Sequence, residues 1–261
     1  MIKVLWFSFV LGLSILTLRA YADISGDYEY TDNGNNTCTI TDYTGPGGSI
    51  SMPDTLDGLT VTVIGDLSFY DNDSLTSIVI PNSVTIIGYG AFYSCSNLAS
   101  IRIPNSVSSV ESLAFYNCDN LTNVTLGNSV TSIGDRAFYS CNGLICIYFK
   151  GNEPSYVGPF AFADVNATVY YISGTTGWGA TFGASPTGAL PTAEWPFPIA
   201  DVDTDGDVNL WDFVTFAASW QSIDGVDAEY NPDCDFSEPF GIIDIADLQV
   251  FVEQWLITPC T

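Results

Sequence analysis

Leu98-Ala-Ser-Ile101-Arg-Ile103-Pro104-Asn-Ser-Val107-Ser-Ser-Val110, followed by Ala114-Phe115-Tyr-Asn-Cys118, is the stretch whose reading decides the fold. Its apolar residues recur at a fixed step of 23. Phe69, Phe92, Phe115 and Phe138 keep that step, as do Leu75, Leu98, Leu121 and Leu144. So do Ile78, Ile101, Val124 and Ile147, and also Ile64, Ile87, Val110 and Ile133. Cys95, Cys118 and Cys141 stay in register, as do Pro81 and Pro104. A degenerate further copy brings Phe162, 24 residues after Phe138, and leads into Val169-Tyr170-Tyr171.

Within a copy the apolar residues alternate. Ile101 and Ile103 bracket Arg102, and Val124 and Leu126 bracket Thr125. Period-2 spacing with β-branched side chains predicts short strands buried on one face. The Pro-Asn-Ser after two of them is a turn signal, because proline fixes φ and removes a ladder donor. One such unit cannot bury its own apolar face, whereas stacked units share a continuous core. The expectation is a mainly β solenoid, right-handed and parallel, with little helix.

These residues resemble the BspA-like leucine-rich repeats of bacterial surface and secreted proteins, over residues 61–172. The resemblance implies an adhesive or binding role toward protein or glycan. It also implies an amino-terminal cap over residues 23–60, from Tyr28-Glu-Tyr30 through Tyr43-Thr-Gly-Pro-Gly-Gly48 to Pro53.

Composition narrows the function. The 261 residues carry 5 Lys+Arg against 30 Asp+Glu, a net charge of −25, and no histidine. That excludes Ser-His-Asp and Cys-His triads and argues against nucleic acid and anionic membranes. Cationic partners, calcium above all, are favoured. At the start, Lys3, the apolar run Val4–Leu18 and Ala20-Tyr21-Ala22 form a signal-peptide pattern over residues 1–22. The run is too short to span a bilayer comfortably, with an uncleaved anchor as the alternative. The mature chain is expected to be secreted or displayed at the cell surface.

Residues 173–200 are rich in Gly and Pro and read as a linker. Beyond them, residues 201–261 hold 14 acids and no Lys or Arg. Asp201, Asp203, Asp205, Asn209 and Asp212 take ligand positions 1, 3, 5, 9 and 12 of a calcium loop. Gly206 makes its turn, Asp207 offers its carbonyl, and Val208 is the apolar residue at position 8. Oxygen ligands without nitrogen or sulfur select Ca2+. A second copy lies 35 residues on, where Asn209 maps to Asp244 and Asp212 to Asp247. Asp233 and Asp235 begin its loop, which carries three extra residues between Phe236 and Gly241 and is expected to be distorted. Phe213, Phe216 and Trp220, matched by Leu248, Phe251 and Trp255, have the spacing of a core shared by two helices.

The duplicated loops resemble a type I dockerin over residues 201–258, a small all-α module. The resemblance implies docking to a cohesin-like partner through Leu210-Trp211 and Ile245-Ala246. This pair is not the small polar pair of cellulosomal dockerins, which leaves an envelope protein as the alternative partner.

The cysteines divide. Cys95, Cys118 and Cys141 read as small buried residues stacked rung on rung, since a 23-residue ladder lacks the paired spacing of a thiolate metal site. Cys234 and Cys260 flank the last helix and are a candidate disulfide in an exported protein. A carbohydrate-active enzyme component is the rival reading, with Asp66, Glu111, Asp119 and Asp135 as its carboxylates. Thin rungs offer no deep pocket to tune them, so the chain is read as non-catalytic. Tyr70, Tyr93, Tyr116 and Tyr139 recur beside the rung phenylalanines, either as an exposed binding stripe or packed between rungs.

Overall fold

The computed structural model describes residues 22–183 and 189–195. Among them every regular element is a strand. The chain enters through β1 (Asp23–Ser25), β2 (Tyr28–Asp32) and β3 (Thr37–Tyr43), paired antiparallel. β4 (Gly48–Ser51) and β5 (Thr55–Leu56) precede the repeats. Then come β6 (Leu59–Ile64), β7 (Leu75–Val79), β8 (Ile86–Ile87), β9 (Ser100–Ile103), β10 (Ser109–Val110) and β11 (Asn123–Leu126). The rest are β12 (Ser132–Ile133), β13 (Cys146–Phe149), β14 (Tyr156–Val157), β15 (Thr168–Ile172), β16 (Thr181–Phe182) and β17 (Leu190–Trp195).

Each repeat gives one strand to each of two parallel sheets. One sheet runs β3-β6-β8-β10-β12-β14 and the other β9-β11-β13-β15-β17. The register follows the sequence step, with Val124 beside Ile101 on one side and Ile147 on the other. About seven turns stack in this way. Between the sheets the Phe, Leu, Ile, Val and Cys columns make one continuous core.

The turn that carries Phe and Tyr is itself a hydrogen-bonded ladder. Phe92 N–H donates to the Ala114 carbonyl at 2.7 Å, and Phe115 N–H donates to Ala137 at 2.7 Å. Two left-handed residues per turn make this possible. Leu67, Gly90, Leu113, Arg136 and Phe160 form one column and Asp71, Ser94, Asn117, Ser140 and Asp164 another, all with φ between 54° and 61°. A left-handed residue turns its neighbouring amides out of the local path, here toward the next rung. Only Gly90 adopts it without steric cost, so the other four of its column are held there by the stack.

Two expectations change. The cap region already contains a degenerate rung: Ile40 pairs with Ile64, Ile50 pairs with Ile78, and Tyr43 stacks on Phe69. Offsets of 24, 28 and 26 hide it from a search at 23. The segment read as a linker is also not uniformly loose. β17 pairs parallel with β15 and antiparallel with β16, so the segment extends the sheet by two strands and covers the edge of β15. Phe182 and Leu190 are buried there in the common core, and Pro191 lies within β17 itself.

Candidate functional site

The three rung cysteines are settled by their contacts. Each is fully buried, and each thiol donates to a carbonyl 26 residues earlier: Cys95 to Phe69, Cys118 to Phe92 and Cys141 to Phe115, at 3.0 to 3.2 Å. Burial pushes the Cys95 thiol up to about 12. Cys118 is raised well above the ordinary thiol range by its contact with Cys141 and by burial. Enclosed in the core and each bonded to a carbonyl, the three thiols serve packing. No group of residues able to hold a metal occurs among the described residues.

The tyrosines follow the packing alternative rather than forming an open stripe. Tyr70, Tyr93, Tyr116 and Tyr139 stack on one another at 4.7 to 5.3 Å, so neighbouring rungs cover the faces of the inner rings. At one end the Tyr139 hydroxyl is hydrogen-bonded to Asp164, which raises it above the usual phenol range. At the other end Tyr70 has its ladder partner on one side only and is 53% exposed.

Tyr70 also lines a cleft of about 630 Å³ between the cap and the first repeats, with Glu29, Thr31, Thr41, Asp42, Asp66 and Leu67. Three elements build it, together with Ala22 just before β1. β2 contributes Glu29 and Thr31, β3 contributes Thr41 and Asp42, and the turn after β6 contributes Asp66, Leu67 and Tyr70. Asp66 accepts the Tyr89 amide at 2.9 Å, and Asp42 accepts the Tyr43 amide at 2.8 Å. Each of these bonds uses one carboxylate oxygen and fixes the group in the wall. Thr41 Oγ1 is buried without a hydrogen-bond partner. An aromatic ring, three carboxylates and an orphan hydroxyl together suit a ligand that presents hydroxyl or ammonium donors beside an apolar face.

The other expected site residues fall as follows. Asp66 is in the cleft, whereas Glu111 and Asp119 share the turn between β10 and β11 and Asp135 lies on the next rung, after β12. Glu111 accepts from Ser109, Asp119 from Asn142 and Asp135 from Arg136, at 2.7, 2.8 and 2.7 Å. They serve local and inter-rung contacts. The signal-peptide segment lies almost wholly outside the described residues. So do the calcium-loop residues Asp201, Asp203, Asp205, Asp207, Asn209, Asp212, Asp233, Asp235, Asp244 and Asp247. The docking residues Leu210, Trp211, Ile245 and Ala246 and the pair Cys234 and Cys260 also lie outside them. Sequence reasoning missed Glu29, Thr31, Thr41 and Asp42, because nothing in their spacing announces that β2 and β3 meet the first repeat turn.

The sequence model of the BspA type leucine-rich repeat region matches residues 62–177 in six copies. Among solved structures, a leucine-rich repeat protein of T. pallidum is 28% identical, with a TM-score of 0.53 over 57% of this chain and 71% of that one. A leucine-rich repeat protein from Bacteroides capillosus is also 28% identical, covering 50% of this chain and 99% of its own, with a TM-score of 0.46. A leucine rich cell surface protein of Faecalibacterium prausnitzii is 27% identical over 57% of this chain and 54% of that one, with a TM-score of 0.40. No curated protein matches the chain. Repeat period, strand register and family match agree that residues 62–177 are a BspA-type leucine-rich repeat region.

Proposed function

We propose that this chain is an exported, non-catalytic binding protein. Its solenoid recognises a protein or glycan, and its C-terminal module loads Ca2+ and attaches it to a cohesin-like or envelope partner. The observation that carries the recognition half is the cleft at Tyr70, where the ladder ends in a half-exposed ring beside Glu29, Asp42 and Asp66. Carboxylates accept from hydroxyl or ammonium groups, and the ring packs on an apolar face of the same ligand. A repeat-based binding role fits the leucine-rich repeat family to which residues 62–177 are matched. The engagement of Glu111, Asp119 and Asp135 by Ser109, Asn142 and Arg136 favours this reading over an enzyme.

The attachment half rests on the sequence: the ligand spacing from Asp201 to Asp212 and its second copy ending at Asp244 and Asp247. Bringing that many carboxylates together is repulsive without a cation, so Ca2+ should stabilise the module.

Two measurements on the full-length chain separate the halves. A panel of extracellular proteins and glycans is screened for binding, and each hit is repeated with Tyr70→Ala and Asp66→Asn. A loss of at least about tenfold, the size of one lost buried contact, is expected, whereas undiminished binding by both variants places recognition elsewhere. Calorimetric titration with Ca2+ should show saturable binding near two ions. One ion would mean that the second, lengthened loop is silent, and no binding would remove the docking module.

A further inference from the structure

The outer face of β13 breaks a rule that its neighbours keep. Along β9, β11 and β15, outward side chains are exposed or half-buried while the inward ones in register with Ile147 are buried. Cys146 shares its outward column with Ser100, Asn123 and Thr168, and Tyr148 shares the next with Arg102, Thr125 and Tyr170. Yet Cys146 is 1% exposed and Tyr148 8%. Tyr170 stacks on Tyr148 at 5.3 Å and covers one side of it. A ring alongside cannot close the outer face of both residues. Desolvation at this place also pushes the Tyr148 hydroxyl up to about 12.

Cys146 is disulfide-bonded, whereas Cys38, Cys95, Cys118 and Cys141 are free thiols. The chain has seven cysteines, so only Cys234 and Cys260 remain as partners within it. Charge points the same way. Beyond the leader the chain has three basic residues, Arg102, Arg136 and Lys150. Arg136 is engaged by Asp135 at 2.7 Å. Arg102 stands in the column of Tyr148, and Lys150 directly follows β13. Residues 201–261 carry 14 acids and no base. Reach is sufficient too. β17 ends at Trp195 two strands from β13, about 10 Å at ordinary strand spacing.

We infer that the acidic C-terminal region, residues 201–261, docks on the outer face of β13 and is clamped there by a disulfide from Cys146 to Cys234 or Cys260, formed by exchange with a disulfide oxidant outside the cytoplasm that takes up the two electrons and two protons of the paired thiols. The clamp makes solenoid and module one covalently tied unit and leaves one of the two C-terminal cysteines unpaired. It holds whether or not the region binds calcium.

The test uses the full-length protein exported into an oxidising compartment. Proteolytic mapping without reduction should give a peptide containing Cys146 linked to one containing Cys234 or Cys260. A Cys234–Cys260 link with Cys146 free, or a Cys146–Cys146 link between two molecules, overturns the clamp. Docking is read separately by zero-length carbodiimide coupling, since Lys150 is the sole lysine after Lys3. Lys150 should couple within one molecule to an acid of residues 201–261, less so at high salt, and should still do so in Cys146→Ser. Coupling only to solenoid carboxylates, or only between molecules, overturns the docking.

Discussion

Two aromatic ladders run side by side through the repeats, one residue apart in sequence, and they end differently. The rings of Phe69, Phe92, Phe115 and Phe138 stack at 5.0 to 5.1 Å, and those of Tyr70, Tyr93, Tyr116 and Tyr139 at 4.7 to 5.3 Å. Both spacings are set by the separation of hydrogen-bonded rungs, close to the ~4.8 Å between neighbouring strands. The Phe ladder is continued by Tyr43 at one end and Phe162 at the other, so none of its four rings has a free face. The Tyr ladder stops at Tyr70, whose neighbour on the cap side is a cleft. Stacking periodicity is therefore a property of the fold, and the end of a stack is where function can attach.

The largest effect expected from breaking this comparison is Phe115→Ala. Phe115 is fully buried between Phe92 and Phe138, and truncation leaves a cavity in a core whose backbone is pinned by rung hydrogen bonds. A loss of about 3–5 kcal/mol is expected from such changes, read as a lower denaturation midpoint. A loss below about 1 kcal/mol would show that the rungs can collapse onto the gap.

Alkaline pH should weaken the cap and the ladders alike. Burial, aided by Tyr43 and Asp27, pushes Tyr28 up to about 12. Burial also pushes Tyr30 up to about 12, aided by its 2.9 Å hydrogen bond to Asp57. A phenol whose folded pKa exceeds its unfolded value of about 10 binds its proton more tightly when folded. Its contribution is fully present below pH 10 and is lost as pH rises through about 12. The repeats carry the same linkage, since burial raises the Cys95 thiol and the Tyr148 hydroxyl to about 12 as well, so the denaturation midpoint of the whole protein should fall as pH rises from the unfolded thiol value of about 9 toward 12. A midpoint that stays flat over this window would show that these groups ionise without loss of the fold.

Tyr116→Ala comes next. Its ring is half-buried and stacked on both sides. Loss of stacking and partial burial should cost about 1 kcal/mol, well under the Phe115 effect. Equal losses for the adjacent pair would mean that the outer ladder is as much core as the inner one.

What the sequence makes legible follows from repetition. The columns at Phe69, Leu75, Ile78, Ile64 and Cys95 mark strands, core and register, because an identical step places identical residues in contact. The flanking rungs are not legible, since Tyr43 stands where the repeat has Phe and the offsets drift. Glycines and prolines in residues 173–195 disguise β17, a strand whose partners are set by the fold rather than by its own pattern. The tyrosine repeat is visible, but period alone does not say whether rings face water or one another. The cleft is the least legible, because Glu29, Asp42 and Asp66 come from segments joined only by tertiary pairing.

Tyr70→Ala should be the smallest change in stability and the largest in recognition. The ring is 53% exposed and stacked on Tyr93 alone, so its removal forfeits one stacking contact and leaves no enclosed cavity. A loss of roughly 0.5 kcal/mol, the low end for an aromatic pair, is expected. The adjoining carboxylates of Asp42 and Asp66 stay fixed by the Tyr43 and Tyr89 amides, so the cleft keeps its shape. A ligand that loses affinity for Tyr70→Ala but not for Tyr116→Ala would place recognition at the end of the ladder. Equal losses for both would put it along the ladder's outer edge, where hydroxyls rather than ring faces are presented. The pair of variants thus tells a site from a surface, at folding costs small enough for both proteins to remain folded for the measurement.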